Sequence, residues 1–271
     1  MFIHKSYLLS VIGAVLLAGC SADEPRSDYG TGYLNFTVRT APLIADIGVR
    51  APEGYIELPA SVLPQAGDLR FTLAGTYLGP DGKTGRIDDA WDRFDAYDCS
   101  QYPLECLESS YTAIFSFGSE TDEGVALPCF SETIENIHLS PDKTTTVAVD
   151  LTLKNACFRL LLDRTMTEYY TDIDLTVSTP DNDFRFTAAD ANTDRIIFVR
   201  TDRSLTLTGS ARHAASGTAV TFPAQVINPD RPTRPATMHT ITLRAKEVGS
   251  TRIEIGFDNS FEEIESEVII P

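Results

Sequence analysis

Apolar and polar residues alternate along most of this chain. Leu34, Phe36 and Val38 are separated by polar neighbours, and the same two-residue period recurs in later segments. The apolar positions of those segments are Val147/Val149/Leu151/Leu153, Phe158/Leu160/Leu162, Ile173/Leu175/Val177, Leu205/Leu207, Ile241/Leu243/Ala245 and Ile253/Ile255/Phe257. Because strand side chains point alternately to opposite faces, this pattern predicts strands that are buried on one side.

Turn-forming residues separate the predicted strands. They are Pro141-Asp142-Lys143, Pro180-Asp181-Asn182-Asp183, Gly209-Ser210 and Asp258-Asn259. Many short strands with few helical segments are typical of antiparallel β-sandwiches. We therefore predict an all-β protein.

One segment, residues 87–97, has a different spacing. Ile87, Trp91 and Phe94 lie four and three residues apart, which predicts a short amphipathic helix. Trp91 is the only tryptophan of the chain, and acidic residues surround it. Two interpretations stay open. Either the helix packs its apolar side on the sandwich, or Trp91, Tyr97 and Tyr102 form an aromatic platform that stacks on a sugar.

The N-terminal segment has the pattern of a secretory signal. Lys5 precedes an apolar run over residues 7–17 that is too short to span a bilayer. The run ends in Leu17-Ala18-Gly19-Cys20, which resembles a bacterial lipobox. In such a box residues 1–19 are removed and Cys20 carries several acyl chains, including palmitate, which together give stable anchoring. An ordinary cleaved signal is the alternative.

Residues 20–29 are polar and lack periodicity, so they read as a flexible tether. The pair Asp23-Glu24 resembles the export signal that places lipoproteins of the Bacteroidota on the outer face of the outer membrane. We therefore predict a protein that is lipid-anchored in the outer membrane and faces the cell exterior. A plain spacer on a protein facing the periplasm is the alternative.

The charge of the chain bears on its partners. It holds 22 Lys and Arg against 39 Asp and Glu, for a formal net charge of −17 at pH 7. A field of this sign repels nucleic acid and anionic lipid headgroups. We expect no nucleic-acid partner.

Four cysteines remain once Cys20 is lipidated: Cys99, Cys106, Cys129 and Cys157. An even number in an oxidising compartment favours disulfides. Three pairings exist, and the short spacing of the first two cysteines favours Cys99–Cys106 with Cys129–Cys157. A metal site is the rival, but no His lies near a Cys and no Cys-x-x-Cys is present. We predict no metal.

The sequence carries no catalytic signature such as Gly-x-Ser-x-Gly, His-Glu-x-x-His or a phosphate-binding glycine loop. His138 is predicted on an exposed strand face, His213 in a loop and His239 just before a strand. The acidic groups Asp88-Asp89 and Asp181 to Asp183 lack the 12-residue calcium-loop pattern. We predict a non-catalytic protein without a cofactor.

Several strand and turn motifs follow one another in a specific order along residues 110–155. The strand Ser110-Tyr111-Thr112 is followed by an acidic loop ending in Pro128-Cys129-Phe130, a Thr-rich strand at 145–153 and the turn Leu153-Lys154-Asn155. With the early strand at 32–38, this order resembles a family of fimbrillin-related lipoproteins of unknown function from the Bacteroidota. The chain departs from the family pattern at Ser109, which replaces Gly, at Cys129, which replaces Tyr, and in a longer excursion over 79–109.

The resemblance implies two transthyretin-like antiparallel β-sandwich domains, which we place at 30–153 and 154–271. The fimbrillin clan includes pilus subunits and surface adhesins. In polymerising members a protease cuts after an Arg near the N-terminus, the first strand leaves, and a neighbour's strand fills the groove. Arg39 and Arg50 match that position. Alternatively, both are ordinary surface arginines and the protein stays anchored.

The resemblance therefore implies a role in adhesion or fimbria-type assembly, with other fimbrial subunits or host and bacterial surface ligands as partners. The alternative is a surface glycan-binding lipoprotein of a polysaccharide-uptake system. The positions of Trp91, Tyr97 and Tyr102 discriminate between the two. An exposed, coplanar row of rings favours sugar binding, and burial favours a structural subunit.

Overall fold

The computed structural model describes residues 29–46, 55–245, 252–257, 260–265 and 267–268. Strands dominate these ranges, and the all-β prediction is confirmed. Within them the chain forms one α-helix, α1 (Arg164–Tyr169), and four 3₁₀ helices at Ala60–Val62, Ala66–Asp68, Phe94–Ala96 and Cys99–Gln101. No helix of this described part is long and apolar enough to cross a bilayer.

The strands are numbered in chain order. The first ten are β1 (Thr31–Thr40), β2 (Leu43–Asp46), β3 (Tyr55–Glu57), β4 (Arg70–Leu78), β5 (Thr84–Trp91), β6 (Leu104–Glu105), β7 (Ser110–Phe117), β8 (Gly124–Val125), β9 (Phe130–Ile137) and β10 (Thr144–Leu153). The next ten are β11 (Ala156–Leu162), β12 (Tyr170–Ser178), β13 (Asp183–Thr187), β14 (Ile197–Val199), β15 (Thr206–His213), β16 (Ala219–Val226), β17 (Thr237–Ala245), β18 (Arg252–Phe257), β19 (Ser260–Glu265) and β20 (Glu267–Val268).

These strands form three sheets. The first has the order β5-β4-β7-β9-β10-β1-β6, and the third has the order β13-β12-β15-β16-β20. The second runs β19-β18-β17-β11-β14-β8, with β2 and β3 attached through β17. Most neighbours are antiparallel, but β1 with β10, β11 with β17 and β2 with β17 pair in parallel. The short strands β2, β3 and β8, all from the first half of the sequence, therefore lie in a sheet that the second half mainly builds.

The buried residues form two hydrophobic clusters. The N-terminal core is centred on Leu34, Phe71, Tyr111, Phe115 and Phe130. The C-terminal core is centred on Phe158, Leu175, Phe186, Leu207 and Ile241. Strands with one face toward a core explain the alternation that predicted them.

The second sheet contributes to both cores. On β11, Ala156 and Phe158 belong to the C-terminal core, whereas Cys157 between them belongs to the N-terminal core. On β14, Phe198 faces the N-terminal core and its neighbour Val199 the C-terminal core. Both strands are therefore buried on two sides, which explains their unbroken apolar sequence. The division into domains at residue 153 stays a prediction.

The predicted helix over residues 87–97 is wrong. Ile87 and Trp91 lie on strand β5, which forms a hairpin with β4, and only Phe94–Ala96 form a single 3₁₀ turn. A spacing of four residues places side chains on one face of a helix, but also on one face of a strand, because four is a multiple of two. The spacing alone could not decide between them.

The predicted turn at Gly209-Ser210 is also wrong, because both residues lie inside β15. A Cβ atom at Gly209 would be 2.6 Å from the carbonyl oxygen of Asp174 and 2.7 Å from Leu175 Cδ2. The glycine therefore permits close approach of β12, at a point where the pairing of β15 shifts its register. The turns at 141–143 and 180–182 lie between strands as predicted, Asp183 begins β13, and Asp258-Asn259 lie outside the described residues.

Candidate functional site

Strand β1 is the main partner of β10. The two pair in parallel from Tyr33↔Thr144 to Thr40↔Leu151, whereas β9 pairs with β10 only at Thr152 and Leu153. On its other side β1 meets only the two residues of β6 within the described ranges. Much of the main-chain hydrogen bonding of β10 therefore depends on one strand.

The inward side chains of β1 complete the N-terminal core. Leu34 is fully buried, and the Phe36 ring contacts the rings of Phe71 and Phe115 at centroid distances of 5.3 and 5.0 Å. The Tyr97 hydroxyl donates a hydrogen bond of 2.8 Å to the Leu34 carbonyl oxygen. Withdrawal of β1 would leave a groove beside β10 with an aromatic floor.

The two arginines that match the processing position differ in what the structure says of them. Arg39 is exposed near the end of β1, opposite Asp150 of β10. Arg50 lies outside the described residues. A cut after Arg39 would separate nearly all of β1 from the rest of the chain, and a cut after Arg50 would also separate β2. Both positions stay predictions.

The three aromatic residues proposed for sugar stacking do come together. The Trp91 ring lies 5.1 Å from the Tyr97 ring at an interplanar angle of 74°, and 5.4 Å from the Tyr102 ring at 80°. The other contact of Trp91 is a stack at 23° on the buried Phe71 ring. All three are partly buried against the N-terminal core. This edge-to-face packing is typical of a core border.

The two phenols of this aromatic cluster are also engaged. Tyr97 donates to the Leu34 carbonyl, and Tyr102 donates to the Asp89 carboxylate. Burial raises the pKa of both phenols, and Asp89 adds to the effect at Tyr102. Because the rings are neither coplanar nor fully exposed, the geometry favours the structural interpretation of this cluster over a sugar platform.

None of the four cysteines forms a disulfide in the structure, so the predicted pairs Cys99–Cys106 and Cys129–Cys157 are not found. The alternation of β11 turns Cys157 toward the N-terminal core. There its thiol donates to the Thr237 carbonyl at 3.5 Å, and its sulfur lies 3.7 Å from Met238 Sδ. Burial raises the thiol pKa of Cys106 and Cys129, which favours the protonated, unreactive form.

The three histidines have different surroundings. His138 is exposed, as predicted, but it follows the end of β9 instead of lying on a strand, and its Nδ1 lies 2.7 Å from the Ser109 carbonyl oxygen. His213 ends β15 rather than lying in a loop. His239 lies within β17, not before it, and its buried Nε2 accepts a hydrogen bond from the Arg234 N–H.

The acidic pairs considered for calcium are engaged by arginine and tyrosine. Asp88 contacts Arg86 at 3.2 Å, and Asp89 accepts from Tyr102. Asp181 contacts Arg200 and Arg203. In the ranges that the structure describes, no three His, Cys, Asp or Glu side chains are placed to share a metal ion.

A polar cleft of about 330 Å³ was not predicted from the sequence. It lies where three connections meet: β7 to β8, β10 to β11 and β14 to β15. Its lining residues are Glu120, Thr121, Lys154, Asn155, Arg200, Thr201 and Arg203. The basic residues among them, Lys154 on the one hand and Arg200 with Arg203 on the other, come from two separate connections. Residues so far apart in sequence give no local pattern, so the cleft follows from the fold and not from a sequence motif.

The family of the chain follows from its sequence. Residues 86–271 match the family model described as Domain of unknown function (DUF4493). The match covers more than half of the chain, so the chain belongs to this family. The predicted membership of a fimbrillin-like family of unknown function is confirmed. No curated protein matches the sequence significantly.

Several solved structures are similar in shape. A fimbrial assembly protein from Parabacteroides distasonis has 10% identity and a TM-score of 0.39, covering 87% of this chain and 98% of that one. A candidate cell adhesion protein from the same organism has 9% identity and a TM-score of 0.40, covering 87% and 97%. A candidate polysaccharide-binding protein from Bacteroides thetaiotaomicron has 11% identity and a TM-score of 0.36, covering 87% and 98%. At such low values no functional argument follows.

Proposed function

We propose that this protein is a non-catalytic cell-surface subunit of the fimbrillin type, which works in adhesion or fimbria-type assembly by exchange of β1. The single observation that carries the proposal is the place of β1: it is the main partner of β10 and also fills the N-terminal core.

The geometry suits strand exchange. Loss of β1 would free the N–H and C=O groups of β10 along Thr144 to Leu151 and open the space that Leu34 and Phe36 fill. A strand from a second subunit with the same alternation could satisfy both, since main-chain hydrogen bonds give affinity and side-chain pockets give register. The proposal includes an acylated Cys20 that anchors the precursor in the outer membrane, facing the cell exterior, until a cut after Arg39 or Arg50 removes the lipidated end.

Cross-linking β1 to β10 tests the proposal. Asn35 and Thr146 are register partners, and both are exposed. The double variant Asn35→Cys/Thr146→Cys can be oxidised to lock β1 in place, with each single variant as a control. In the native cell, we expect wild type and single variants to give detergent-resistant polymers on immunoblots. The locked variant should give monomers. Equal polymer from the locked protein, or none from wild type, would overturn strand exchange.

A further inference from the structure

The polar cleft concentrates positive charge on an acidic protein. Lys154, Arg200 and Arg203 line it, and Glu120 is the one acidic residue among its seven lining residues. Lys154 Nζ has a long contact of 3.9 Å with Glu132, outside the lining. The cleft therefore stands out against a chain with a formal charge of −17.

The turn that carries both arginines is held rigidly. The buried Thr233 hydroxyl donates to the Arg200 carbonyl oxygen at 2.7 Å and accepts from the Arg203 N–H at 3.0 Å. The Asp202 N–H donates to the Thr233 carbonyl oxygen at 2.8 Å, and Asp202 has a φ of 57°. Such a turn presents its side chains at little further cost in conformational entropy.

A carboxylate behind the cleft also fixes this turn. Glu123 accepts from the Arg200 N–H at 3.0 Å and from the side chains of Thr179 and Asn182. Burial alone would raise the pKa of Glu123. The hydrogen bonds outweigh it and leave the pKa below its ordinary value, so the group is ionised at neutral pH.

The two guanidinium groups share one carboxylate. Asp181 contacts Arg200 at 3.2 Å and Arg203 at 3.3 Å, and the two arginine side chains are 32% and 30% exposed. Arg200 Nε donates to the Thr121 carbonyl oxygen. Arg203 Nε has no hydrogen-bond partner in the described part of the chain but is buried, so a ligand in the cleft would contact the exposed part of these two side chains instead.

We infer that this cleft binds a carboxylate-bearing ligand of about monosaccharide size. A guanidinium fork matches a planar carboxylate, and the nearby carboxylates of Asp181 and Glu123 repel a dianionic phosphate more strongly than a monoanion. The volume lies at the lower end of small-ligand sites. Thr121 and Thr201 can bond hydroxyl groups, whereas the lining has no aromatic ring on which a neutral sugar could stack. The inference is independent of strand exchange.

Isothermal titration calorimetry of the full chain with glucuronate, glucose and butyrate tests the inference. We expect glucuronate to bind and glucose not to bind. Comparable binding of butyrate, a monoanion without hydroxyl groups, would support a simple-acid source for the carboxylate, and weaker binding would support a sugar acid. No heat with either acid, or equal affinity for glucose and glucuronate, would overturn the inference.

Variants of the cleft make the test specific. Arg203→Ala should weaken glucuronate binding about tenfold or more, because a charged hydrogen bond is lost. Arg203→Lys keeps the positive charge and so controls for misfolding, but it lacks the planar guanidinium fork and should also bind glucuronate weakly. The control is Arg86→Ala, whose arginine is exposed on β5 and pairs with Asp88. Unchanged affinity in both folded Arg203 variants would contradict the site.

Discussion

The two cores differ in the origin of their central parallel strand. In the N-terminal core β10 pairs with β1, which precedes every other described strand in the sequence. In the C-terminal core β11 pairs in parallel with β17, and β17 is followed by its antiparallel neighbours β18 and β19. In the described ranges β1 is thus connected to other strands through its C-terminal end alone, whereas β17 has strands on both sides along the chain. This difference supports β1 rather than β17 as the strand that we propose is exchanged.

The side chain of Phe36 connects β1 closely to the N-terminal core. Phe36 of β1 contacts four aromatic rings, those of Phe71, Phe94, Tyr97 and Phe115, at centroid distances of 5.0 to 6.2 Å. One side chain of β1 therefore closes an aromatic pocket. Under the proposed exchange, β1 would be essential to the N-terminal core and also replaceable by the strand of a second subunit.

The largest effect should come from removal of β1 itself. A chain that begins at Ala51 should lose the native fluorescence of Trp91, whose ring lies in the N-terminal core region. A synthetic peptide of residues 29–46 should restore that signal. The same peptide with Phe36→Asp should fail, and with the exposed Asn35→Asp it should succeed. Native fluorescence of the shortened chain without any peptide would contradict the dependence of the N-terminal core on β1.

Single core truncations come next. Leu34→Ala and Leu160→Ala should each lower the free energy of unfolding by about 2–5 kcal/mol, because both leucines are buried and leave cavities. Denaturant unfolding measures this, with Asn35→Ala as an exposed control that should cost less than about 0.5 kcal/mol. In a peptide carrying β1, only the Leu34 change can weaken restoration. A Leu34 effect no larger than that of Asn35 would count against the role of β1.

Glycines at which two strands lie close together should give a smaller loss of stability when they are replaced, and each core provides an example. A Cβ at Gly75 would lie 2.4 Å from the Tyr111 ring and 2.7 Å from the Ser110 carbonyl oxygen, and Gly209 is similarly crowded. We expect Gly75→Ala and Gly209→Ala each to cost about 1–3 kcal/mol in chemical denaturation. Gly67→Ala is the control, because it meets only exposed ends of the Asp95 and Arg93 side chains. Equal stability of all three variants would argue against the close approach.

The smallest expected change in stability concerns α1, whose buried Met166 belongs to the C-terminal core. Asp163 caps this helix by accepting from the backbone N–H and hydroxyl of Thr165 at 2.9 and 2.8 Å, and these bonds lower its pKa. The stabilisation is therefore present above the unfolded-state pKa of about 3.9 and is lost as the pH falls through the folded-state value.

Because the pKa of Asp163 is lowered in the folded state, two substitutions of this residue test the cap. Asp163→Ala should cost about 1 kcal/mol at neutral pH, as for other helix caps. Asp163→Asn should lose less stability than wild type between about pH 5 and about pH 2, since the titrating group is gone. Thermal unfolding at several pH values measures both. Identical pH profiles for wild type and Asp163→Asn would refute the cap.

Sequence patterns predicted the strands well where one face is buried. Leu34, Val149 and Leu175 all point into a core as their alternation required. The patterns failed where spacing is ambiguous, as for Ile87 and Trp91, or where a glycine serves close packing instead of a turn, as for Gly209. Alternation says which face is buried but not which strand is the neighbour, so the parallel pairing of β1 was not predictable.

The candidate sites were predicted only in part. Trp91, Tyr97 and Tyr102 were grouped only in the sugar-platform interpretation, and the stack of Trp91 on Phe71 of the neighbouring strand was not predicted. The cleft at Lys154 and Arg203 joins connections far apart in the chain and left no signal. Long-range contacts of this kind follow from the fold alone.

We propose that β1 is exchanged between subunits at the cell surface. Intact mass and N-terminal sequencing of the protein isolated from its native surface test this exchange. We expect a mature subunit whose new N-terminus is Thr40 or Ala51, after a cut following Arg39 or Arg50. An intact, acylated Cys20 on all surface protein would contradict strand exchange and indicate a permanently anchored binding protein.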